Sequence, residues 1–487
     1  MTLALVAPAA VPLLAGLLAL VLPWRAAAWA GVVAAAAILA CGITLASGDA
    51  QRFGVAAGDA QRFGLLRADA LTAWMLIAIG AVATLACTAA WAQLRGDTAA
   101  EQRRYLLLTQ LFLACMSLAV LADNLGLLWV AVEATTIVTA FLVGHRRTRA
   151  SVEAAWKYVV LCSIGIAIAF LGTVCVYAAA VGAGAHGITA LDWSHLSTTA
   201  DSLDPALMRL AAGLVLLGFG TKAGLAPMHS WLPDAHSQAP APVSALMSGV
   251  LLSVAFYAIL RYKVIVDVAV GPGYTRTLLL IAALGSLTVA ALLLIAQRDY
   301  KRLLAYSSIE HMGLIALGTA FGVKLAVSAA LLHVLGHGLA KAVAFCSAGR
   351  ILQISGSSDI ATVRGLAARQ PALAATFGIS LVALLGLPPF SLFASELGVA
   401  RAGFTSGHGW AVAVAFTLVL VAFAAITRHA GAMLLGPPPP GPPSAGGRGL
   451  AVLGGGLAVA AVLGLYLGPL RHVLDAAADI VTAGVAS

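Results

Sequence analysis

The feature that decides the fold is a break inside an apolar segment, with the sequence GTKAGLAP from Gly220 to Pro227. A second break, GLPPF from Gly386 to Phe390, interrupts another apolar segment. Broken helices are tolerated at membrane depth only where protein or water surrounds the freed backbone groups, and paired breaks in two halves are typical of inverted-repeat transporters. The breaks lie five predicted spans apart, so we expect two five-helix repeats of opposite topology.

The composition around these breaks places the whole chain in a bilayer. Of its 487 residues, 61% are hydrophobic and 10% are charged, whereas a soluble domain carries about 25% charged residues. The apolar runs are continuous rather than alternating, which excludes a β-barrel, and no polar stretch is long enough for a Rossmann, kinase or nucleic-acid-binding domain. At roughly 20 residues per span, the sequence predicts an all-α polytopic membrane protein with about 14 transmembrane helices, near 2–23, 26–47, 68–92, 104–121, 124–143, 155–182, 206–228, 241–262, 276–296, 303–321, 325–350, 371–401, 408–434 and 449–470.

Two features of the N-terminal region bear on the predicted spans. The first span, from Leu3 to Pro23, is too long for a signal peptide and is expected to stay uncleaved. The heptapeptide GDAQRFG occurs twice, at 48–54 and 58–64, and we assign it no function.

The predicted spans fall into five parts along the chain. They are N-terminal helices at 1–100, a first repeat at 101–265, a second, inverted repeat at 275–435, a Pro/Gly linker at 436–448, and a C-terminal helix and tail at 449–487.

The basic residues indicate orientation rather than a nucleic-acid partner. The net charge of +9 comes from Lys and Arg in short loops between apolar runs. One side of the predicted membrane carries more of them, and the positive-inside rule then places both termini outside the cytoplasm. The six cysteines lie singly inside apolar runs without a C-x-x-C pair. Since metal and iron–sulfur sites need clustered thiolates, we expect helix packing to explain them.

Two ionisable residues of the first repeat are expected to form a switching pair. Glu133 lies inside the fifth predicted span, and Lys222 lies beside the break of the seventh. A charge at the bilayer centre costs at least about 2.5–3.5 kcal/mol, so its retention suggests a function. A buried acid and a buried base pull each other back toward the charged forms, and the pair can hold or release a proton after small movements. The alternative is a static ion pair, which stabilises poorly compared with apolar packing.

The second repeat carries a row of titratable groups in the eleventh predicted span. His333, His337 and Lys341 follow one another at i, i+4 spacing and therefore line one helical face. Histidine titrates near neutral pH, so the row is a plausible stepwise proton path. Metal binding is the competing interpretation of the two histidines. This face lacks a carboxylate, and Lys341 would repel a cation, so we expect no metal.

Glu396 follows the second break and has two interpretations. It is either the last acid on a proton path that leaves the eleventh span, or the cap of the half-helix after the break, since acids favour helix N-termini. No span combines exposed carbonyls with several acids as a sodium site would, so we expect protons to be carried. Weaker candidates, which include loop residues and one helix salt bridge, are Glu153, Lys157, His229, Asp234, His236, Asp299, Lys301, Arg302, Glu310 and His311.

Several motifs resemble those of one membrane family. They are LWVAVEATT around Glu133, EAAWKY from Glu153, GFGTK with MHSWLPDAH up to His236, APAPVSAL from Ala239, KRLLAYSSIEHMG from Lys301 and HVLGHGLAK from His333 to Lys341. The chain resembles the proton-conducting, antiporter-like membrane subunits, which include proton-pumping subunits of respiratory complex I, Mrp-type antiporter subunits and subunits of group 4 hydrogenases. It is most similar to the hydrogenase-4 component F-like members, over roughly residues 100–400.

The resemblance implies a role for each candidate. Glu133 and Lys222 match the acid and the lysine of the fifth and seventh helices. His333, His337 and Lys341 match the central axis, and Glu396 matches the terminal ionisable residue of the twelfth helix.

One position departs from the family pattern. Relatives often place a lysine or histidine in the eighth helix, where this chain offers only Ser248 or Ser253. The link between Lys222 and His333 would then use hydroxyls and water.

The implied function is a proton-translocating subunit of a multisubunit complex in the inner membrane. Iron–sulfur and nickel–iron centres would lie only in a peripheral redox module of partner subunits, so that this chain holds no cofactor. The alternatives are a subunit of an Mrp-type cation/proton antiporter that works without electron transfer, and a structural anchor with vestigial polar residues.

Overall fold

The computed structural model describes residues 2–47, 61–437 and 449–483, and this part of the chain is almost entirely helical. A short antiparallel hairpin joins β1 (Gln61–Phe63) to β2 (Leu66–Ala68). The helices of the first half are α1 (Thr2–Leu18), α2 (Trp24–Ser47), α3 (Ala70–Leu94), α4 (Ala99–Leu121), α5 (Leu125–Val143), α6 (Arg149–Gly182), α7 (Trp193–Leu196), α8 (Pro205–Ala223), α9 (Trp231–Gln238), α10 (Ala241–Leu246) and α11 (Leu252–Val270).

The second half continues in the same way. Its helices are α12 (Pro272–Ile295), α13 (Tyr300–Phe321), α14 (Lys324–Ser355), α15 (Leu366–Arg369), α16 (Pro371–Leu384), α17 (Ser391–Thr405), α18 (Gly409–Leu435), α19 (Leu450–Leu465) and α20 (Leu470–Thr482). Within the described residues, ten helices are long and apolar enough to cross a membrane, or up to eleven if the bent pair α19 and α20 counts as one span. The chain is therefore a helical, multi-span membrane protein.

Polar residues at the ends of spans set where the helices begin. Thr98 and Glu101 form a reciprocal capping box at the start of α4, and Asn124 accepts two backbone N–H bonds at the start of α5. Such caps satisfy the first N–H groups of a helix, which have no partner within it. These two caps therefore satisfy backbone N–H groups where α4 and α5 begin.

Both predicted breaks are present. At the first break, α8 ends at Ala223. Gly224 follows in the left-handed conformation, and the Leu225 N–H donates to the Gly220 carbonyl. This glycine-terminated helix end is common because a residue without Cβ adopts positive φ without strain. The chain resumes as α9. The second break separates α16 from α17 and centres on Gly386, which also has positive φ.

Two elements were not predicted from the sequence. The first is the hairpin β1–β2, which precedes α3. We call the end of the bundle at which this hairpin lies the hairpin end. Arg67 of β2 and Arg261 of α11 both contact Asp69, at 3.3 Å and 2.7 Å. Burial alone would raise the pKa of Asp69, but the two guanidinium groups hold it below its ordinary value. This buried ion network fastens the hairpin to the bundle.

The second unpredicted element is α20, which turns 73° away from α19. Its apolar face, which includes Leu474 and Val481, is buried, and Lys324 at the start of α14 donates to Asp479 over 2.7 Å. The predicted last span at 449–470 therefore ends at Leu465, because Gly468 and Pro469 stop the helix. Residues 48–60 and 438–448, which hold most of the duplicated heptapeptide and of the predicted linker, lie outside the described residues.

The centre of the bundle is formed by α14 and by the segment from α10 to α11, both buried along their apolar lengths. A π-helical turn, Met247–Leu251, joins α10 to α11. There, Gly249 and Gly338 pack backbone against backbone, and a Cβ added at Gly338 would lie 2.8 Å from the Gly249 carbonyl oxygen. This close contact brings Ser248 next to the polar face of α14, and π-helical turns are frequent at functional sites.

Candidate functional site

The side chain of Lys222 is fully buried in the last turn of α8. Its ammonium group donates to the Thr136 hydroxyl over 2.6 Å and to the Tyr158 hydroxyl over 2.8 Å. It also lies 5.1 Å from the centre of the Tyr158 ring, which is favourable for a cation. The carboxyl end of a helix favours a positive charge as well. The helix break therefore positions a lysine whose ammonium group donates to two hydroxyls.

Glu133 does not form the buried ion pair that the sequence suggested. Its side chain is half-exposed, and its two carboxylate oxygens accept hydrogen bonds of 3.0 Å from Thr136 and from Ser163. Glu133 and Thr136 lie one turn apart on α5, so the threonine hydroxyl lies between the acid and Lys222. In the described chain, the acid and the lysine are thus joined through Thr136 instead of pairing directly. We call Glu133, Thr136, Tyr158 and Lys222 the first cluster.

A link between the two halves is made by serine hydroxyls. The hydroxyl of Ser248, in the π-helical turn, lies 2.7 Å from that of Ser308 on α13. Ser308 donates to the Leu304 carbonyl over 3.0 Å, and Lys341 donates to the same carbonyl over 2.6 Å. Ser248 therefore lies on the Lys341 side of the link predicted between Lys222 and His333, and its connection to Lys222 stays a prediction. Ser253 is buried, with no partner for its hydroxyl among the described residues.

The histidine row on α14 is joined by a third histidine. Nδ1 of His311, on α13, lies 3.0 Å from Nε2 of His333, and Nδ1 of His333 lies 2.9 Å from the Ser395 hydroxyl on α17. The His337 ring lies 4.9 Å from that of His311, centre to centre. Lys341 continues the row and also donates to Ser307. The predicted face therefore exists and connects α13, α14 and α17. We call His311, His333, His337, Lys341, Ser395 and Glu396 the second cluster.

Glu396 closes this cluster and does not cap its helix. Within the described residues, α17 has no side-chain hydrogen bond at its N-cap, Phe390. The carboxylate instead lies against the break, where a Cβ on Gly386 would come within 2.3 Å of its oxygen. One oxygen of Glu396 and one ring nitrogen each of His311 and His333 lie within 4.8 Å of one another. The capping interpretation is therefore wrong, because the carboxylate points to the histidines rather than to the first amides of the helix.

The same three groups are of the types that hold transition metals, namely imidazole and carboxylate. The helix face with His333, His337 and Lys341 has no carboxylate of its own, but Glu396 brings one from α17. The hydrogen bond between the two imidazoles accounts for their close approach without an ion. The absence of a resident metal stays a prediction.

Other sequence candidates divide by location. His236 is fully buried and stacks 5.3 Å from the Phe345 ring, so it does not reach the surface as expected. Asp234 lies in a surface network with Lys157, at 3.2 Å, and with Arg302. Glu153 joins it through Lys157. His236 belongs with the interior groups, whereas the network is a solvated face.

Sequence reasoning missed the hydroxyl partners of the charged groups. Thr136, Ser163 and Ser395 each touch a candidate residue, but an isolated Ser or Thr in a span is ordinary. The spacing of Glu133 and Thr136 on one face was the available signal for the first cluster. The contact of His311 with His333 joins two different helices, so the periodicity of one helix does not predict it.

The family model described as "NADH:quinone oxidoreductase/Mrp antiporter, TM" matches residues 122–422, which hold both clusters. The chain belongs to this family. Among its relatives, a hydrogenase-4 component F homolog of Methylacidiphilum infernorum (isolate V4) is 40% identical over 326 residues, covering 67% of this chain and 68% of that protein. NADH-quinone oxidoreductase subunit N of Desulforudis audaxviator (strain MP104C) is 32% identical over 383 residues, covering 76% and 75%.

A solved structure shows the same fold. A chain of the membrane-bound sulfane sulfur reductase, an archaeal respiratory membrane complex, superposes with a TM-score of 0.85 over 99% of both chains at 24% identity. The family match and the 40% identical relative confirm the resemblance found in the motifs. The chain is an antiporter-like membrane subunit, related to those of hydrogenase-4 and of NADH:quinone oxidoreductases.

Proposed function

We propose that this subunit moves protons across the membrane within a group 4 hydrogenase-like or NADH:quinone oxidoreductase-like complex. One observation carries the proposal: two clusters of ionisable side chains lie within the membrane-spanning helices, and the contact between Ser248 and Ser308 leads from the second cluster toward the first half of the chain. Ionisable groups retained at membrane depth mark proton and ion pathways. The imidazole and ammonium groups of the clusters suit proton transfer better than sodium coordination, which uses oxygen ligands.

Each cluster has its own part in the proposed transfer. Lys222 holds or releases a proton according to the charge of Glu133, and the Thr136 hydroxyl transmits this influence. His333, His337 and Lys341 pass a proton along α14. Glu396 is the last acid of the path, supported by its position between the histidines and the second break.

The larger organisation is part of the proposal. The short helix α1, the polar helix α13, the broken pair α16–α17 and the bent helix α19 would bring the count to about 14 spans of roughly 20 residues each. The first repeat, 101–265, and the second, 275–435, would be half-channels of opposite topology, flanked by the parts at 1–100, 436–448 and 449–487. The excess of Lys and Arg opposite the hairpin end supports a plasma-membrane orientation with both termini outside the cytoplasm.

Partner subunits would supply the driving reaction. We place the iron–sulfur and nickel–iron centres in a peripheral redox module and none in this chain. A second candidate function, cation/proton antiport without electron transfer, is favoured by the family description, which covers Mrp antiporters as well. Purification of the native complex and identification of its subunits distinguishes the two.

The test uses the intact complex in vesicles. We expect Glu133→Gln or Lys222→Met to lower proton uptake at least about tenfold while the complex stays assembled, because each removes one charge of the first cluster. Glu153→Gln is the control, since Glu153 is 60% exposed in a surface pair and its loss changes exposed charge only. Wild-type uptake with both test substitutions would refute the proposal. Uptake that rises steeply with sodium at constant pH would refute the choice of ion.

A further inference from the structure

A cavity of about 130 Å³ lies at the end of the bundle opposite the hairpin end, apart from both clusters. It is enclosed by the last turns of α3 and α14 and by the first turns of α10 and α19. Four basic residues from four segments reach it, namely Arg95, Arg146, Lys301 and Arg350. Basic residues far apart in sequence thus share one cavity.

The charged residues in the described walls of this cavity are all basic. Among the described residues that line it, none is acidic. The acids nearest in sequence to these basic residues have partners of their own: Asp97 lies 3.4 Å from His145, Asp234 pairs with Lys157 and Arg302, and Asp299 caps α13. Lys301 is buried, and its ammonium group donates to two backbone carbonyls, which supply partial charges only. Like charges brought together at a partly buried site favour an anion.

The other walls of the cavity are apolar. Trp91, Pro242, Leu352 and Leu453 line it beside the basic groups. The apolar walls add no binding free energy for a free inorganic anion. An amphiphile contacts the basic groups with its head group and the apolar walls with its hydrocarbon. The ligand chemistry is therefore an acidic head group attached to hydrocarbon.

Aromatic residues place the cavity at the boundary of the membrane. The rings of Trp24 and Trp29 on α2 lie 5.5 Å and 5.4 Å from that of Trp91, and the Arg25 guanidinium lies 5.6 Å from the centre of the Trp24 ring. Tryptophan gathers at the level of lipid head groups. Basic pockets between spans at that level bind the head groups of anionic lipids.

We propose that this cavity binds the phosphate of an anionic phospholipid, with Arg95 and Arg146 facing the phosphate and the acyl chains beside Trp91 and Leu453. The lipid lies between α3 and α19 and joins the C-terminal span to the core. This site is independent of the proposed proton path, because its lining residues belong to neither cluster.

The test measures lipid binding directly on the full-length chain purified in detergent. Native mass spectrometry compares phosphatidylglycerol with phosphatidylcholine of the same acyl chains. We expect the wild-type chain to retain phosphatidylglycerol preferentially. The double variant Arg95→Gln/Arg146→Gln should bind it roughly 30-fold more weakly, since each basic residue near an anionic lipid contributes about a fivefold gain.

The control is Arg103→Gln, because Arg103 is exposed at the same end of the bundle but does not line the cavity. It should bind phosphatidylglycerol as the wild type does. Equal retention of both lipids, or unchanged retention by the double variant, would overturn the proposal. Displacement of the lipid by inorganic phosphate at equal concentration would overturn the lipid assignment and leave a simple anion site. Circular dichroism of each variant confirms folding. If the double variant unfolds, the single variant Arg95→Gln replaces it and should bind phosphatidylglycerol about fivefold more weakly.

Discussion

The two clusters hold their charges in different ways. In the first, Glu133 is half-exposed and reaches the buried Lys222 through a single hydroxyl, that of Thr136. In the second, two imidazoles, His311 and His333, touch directly at 3.0 Å, in full burial. The first cluster is an acid and a base kept apart by one residue, and the second is a row of groups that both donate and accept protons.

This difference suggests separate tasks for the two clusters. A carboxylate and an ammonium group keep their charges while they remain near each other, so the first cluster responds to movement. A neutral imidazole accepts a proton at one nitrogen and releases it from the other, so adjacent rings pass a proton without a change of partner. As part of the proposed function, we therefore propose that the first cluster switches and the second conducts.

The largest effect is expected where the conducting row ends. Glu396→Gln should lower proton uptake roughly 100-fold, because glutamine cannot take up and release a proton and proton-transfer groups contribute about that factor. The melting temperature of the purified variant should change little, since Glu396 makes no capping bond in the described chain. Vesicle uptake rates and melting temperatures are measured together. Full uptake by Glu396→Gln ends the proposed role of this acid.

A smaller effect is expected at the hydroxyl that separates the charges of the first cluster. Thr136→Val removes the shared hydroxyl at nearly constant volume and should lower uptake roughly tenfold, the value of one hydrogen bond to a charged group. Thr135→Val is the matched control, because the Thr135 hydroxyl is equally buried and donates only to the Val132 carbonyl, over 2.6 Å. Equal losses in both variants would show that packing of α5, rather than the shared hydroxyl, matters.

The sequence indicated both helix breaks and the charged residues beside them, because glycine, proline and ionisable side chains are conspicuous in an apolar chain. It also indicated the face formed by His333, His337 and Lys341, since helical periodicity alone places them together. Contacts between different helices could not be predicted, because periodicity does not say that Glu396 would lie against Gly386. Helix α20 carries an amphipathic pattern, with Val473, Leu474 and Val481 on its buried face, but it follows directly after a span and hydropathy alone does not separate the two.

The exposure of Glu133 shows a second limit of the sequence. Hydropathy places a residue at a depth in the membrane but not on the inner or outer face of the bundle. The neighbouring Val130 and Ile137 are more than half-exposed, so this face of α5 is turned outward. The acid of the switching cluster therefore lies at the edge of the bundle and its lysine in the interior.

The smallest effect is expected at the link between the clusters, where the chain has serine instead of an ionisable residue. Ser248→Ala breaks the 2.7 Å contact with Ser308 and should lower uptake about fivefold, the value of one neutral hydrogen bond of about 1 kcal/mol. Water in the vacated space would restore part of the connection, which keeps the effect below that of Thr136→Val.

Ser253→Ala separates this link from a general effect of removing a buried hydroxyl. Ser253 lies on the same central segment and is equally buried, but its hydroxyl has no partner among the described residues. If protons pass between the clusters through Ser248, only Ser248→Ala slows uptake, and Ser248→His, which places an ionisable group there, restores or raises the rate. Equal rates for Ser248→Ala and the wild type would mean that the clusters exchange no proton by this route, and that the contrast between them reflects two separate half-channels rather than one continuous path.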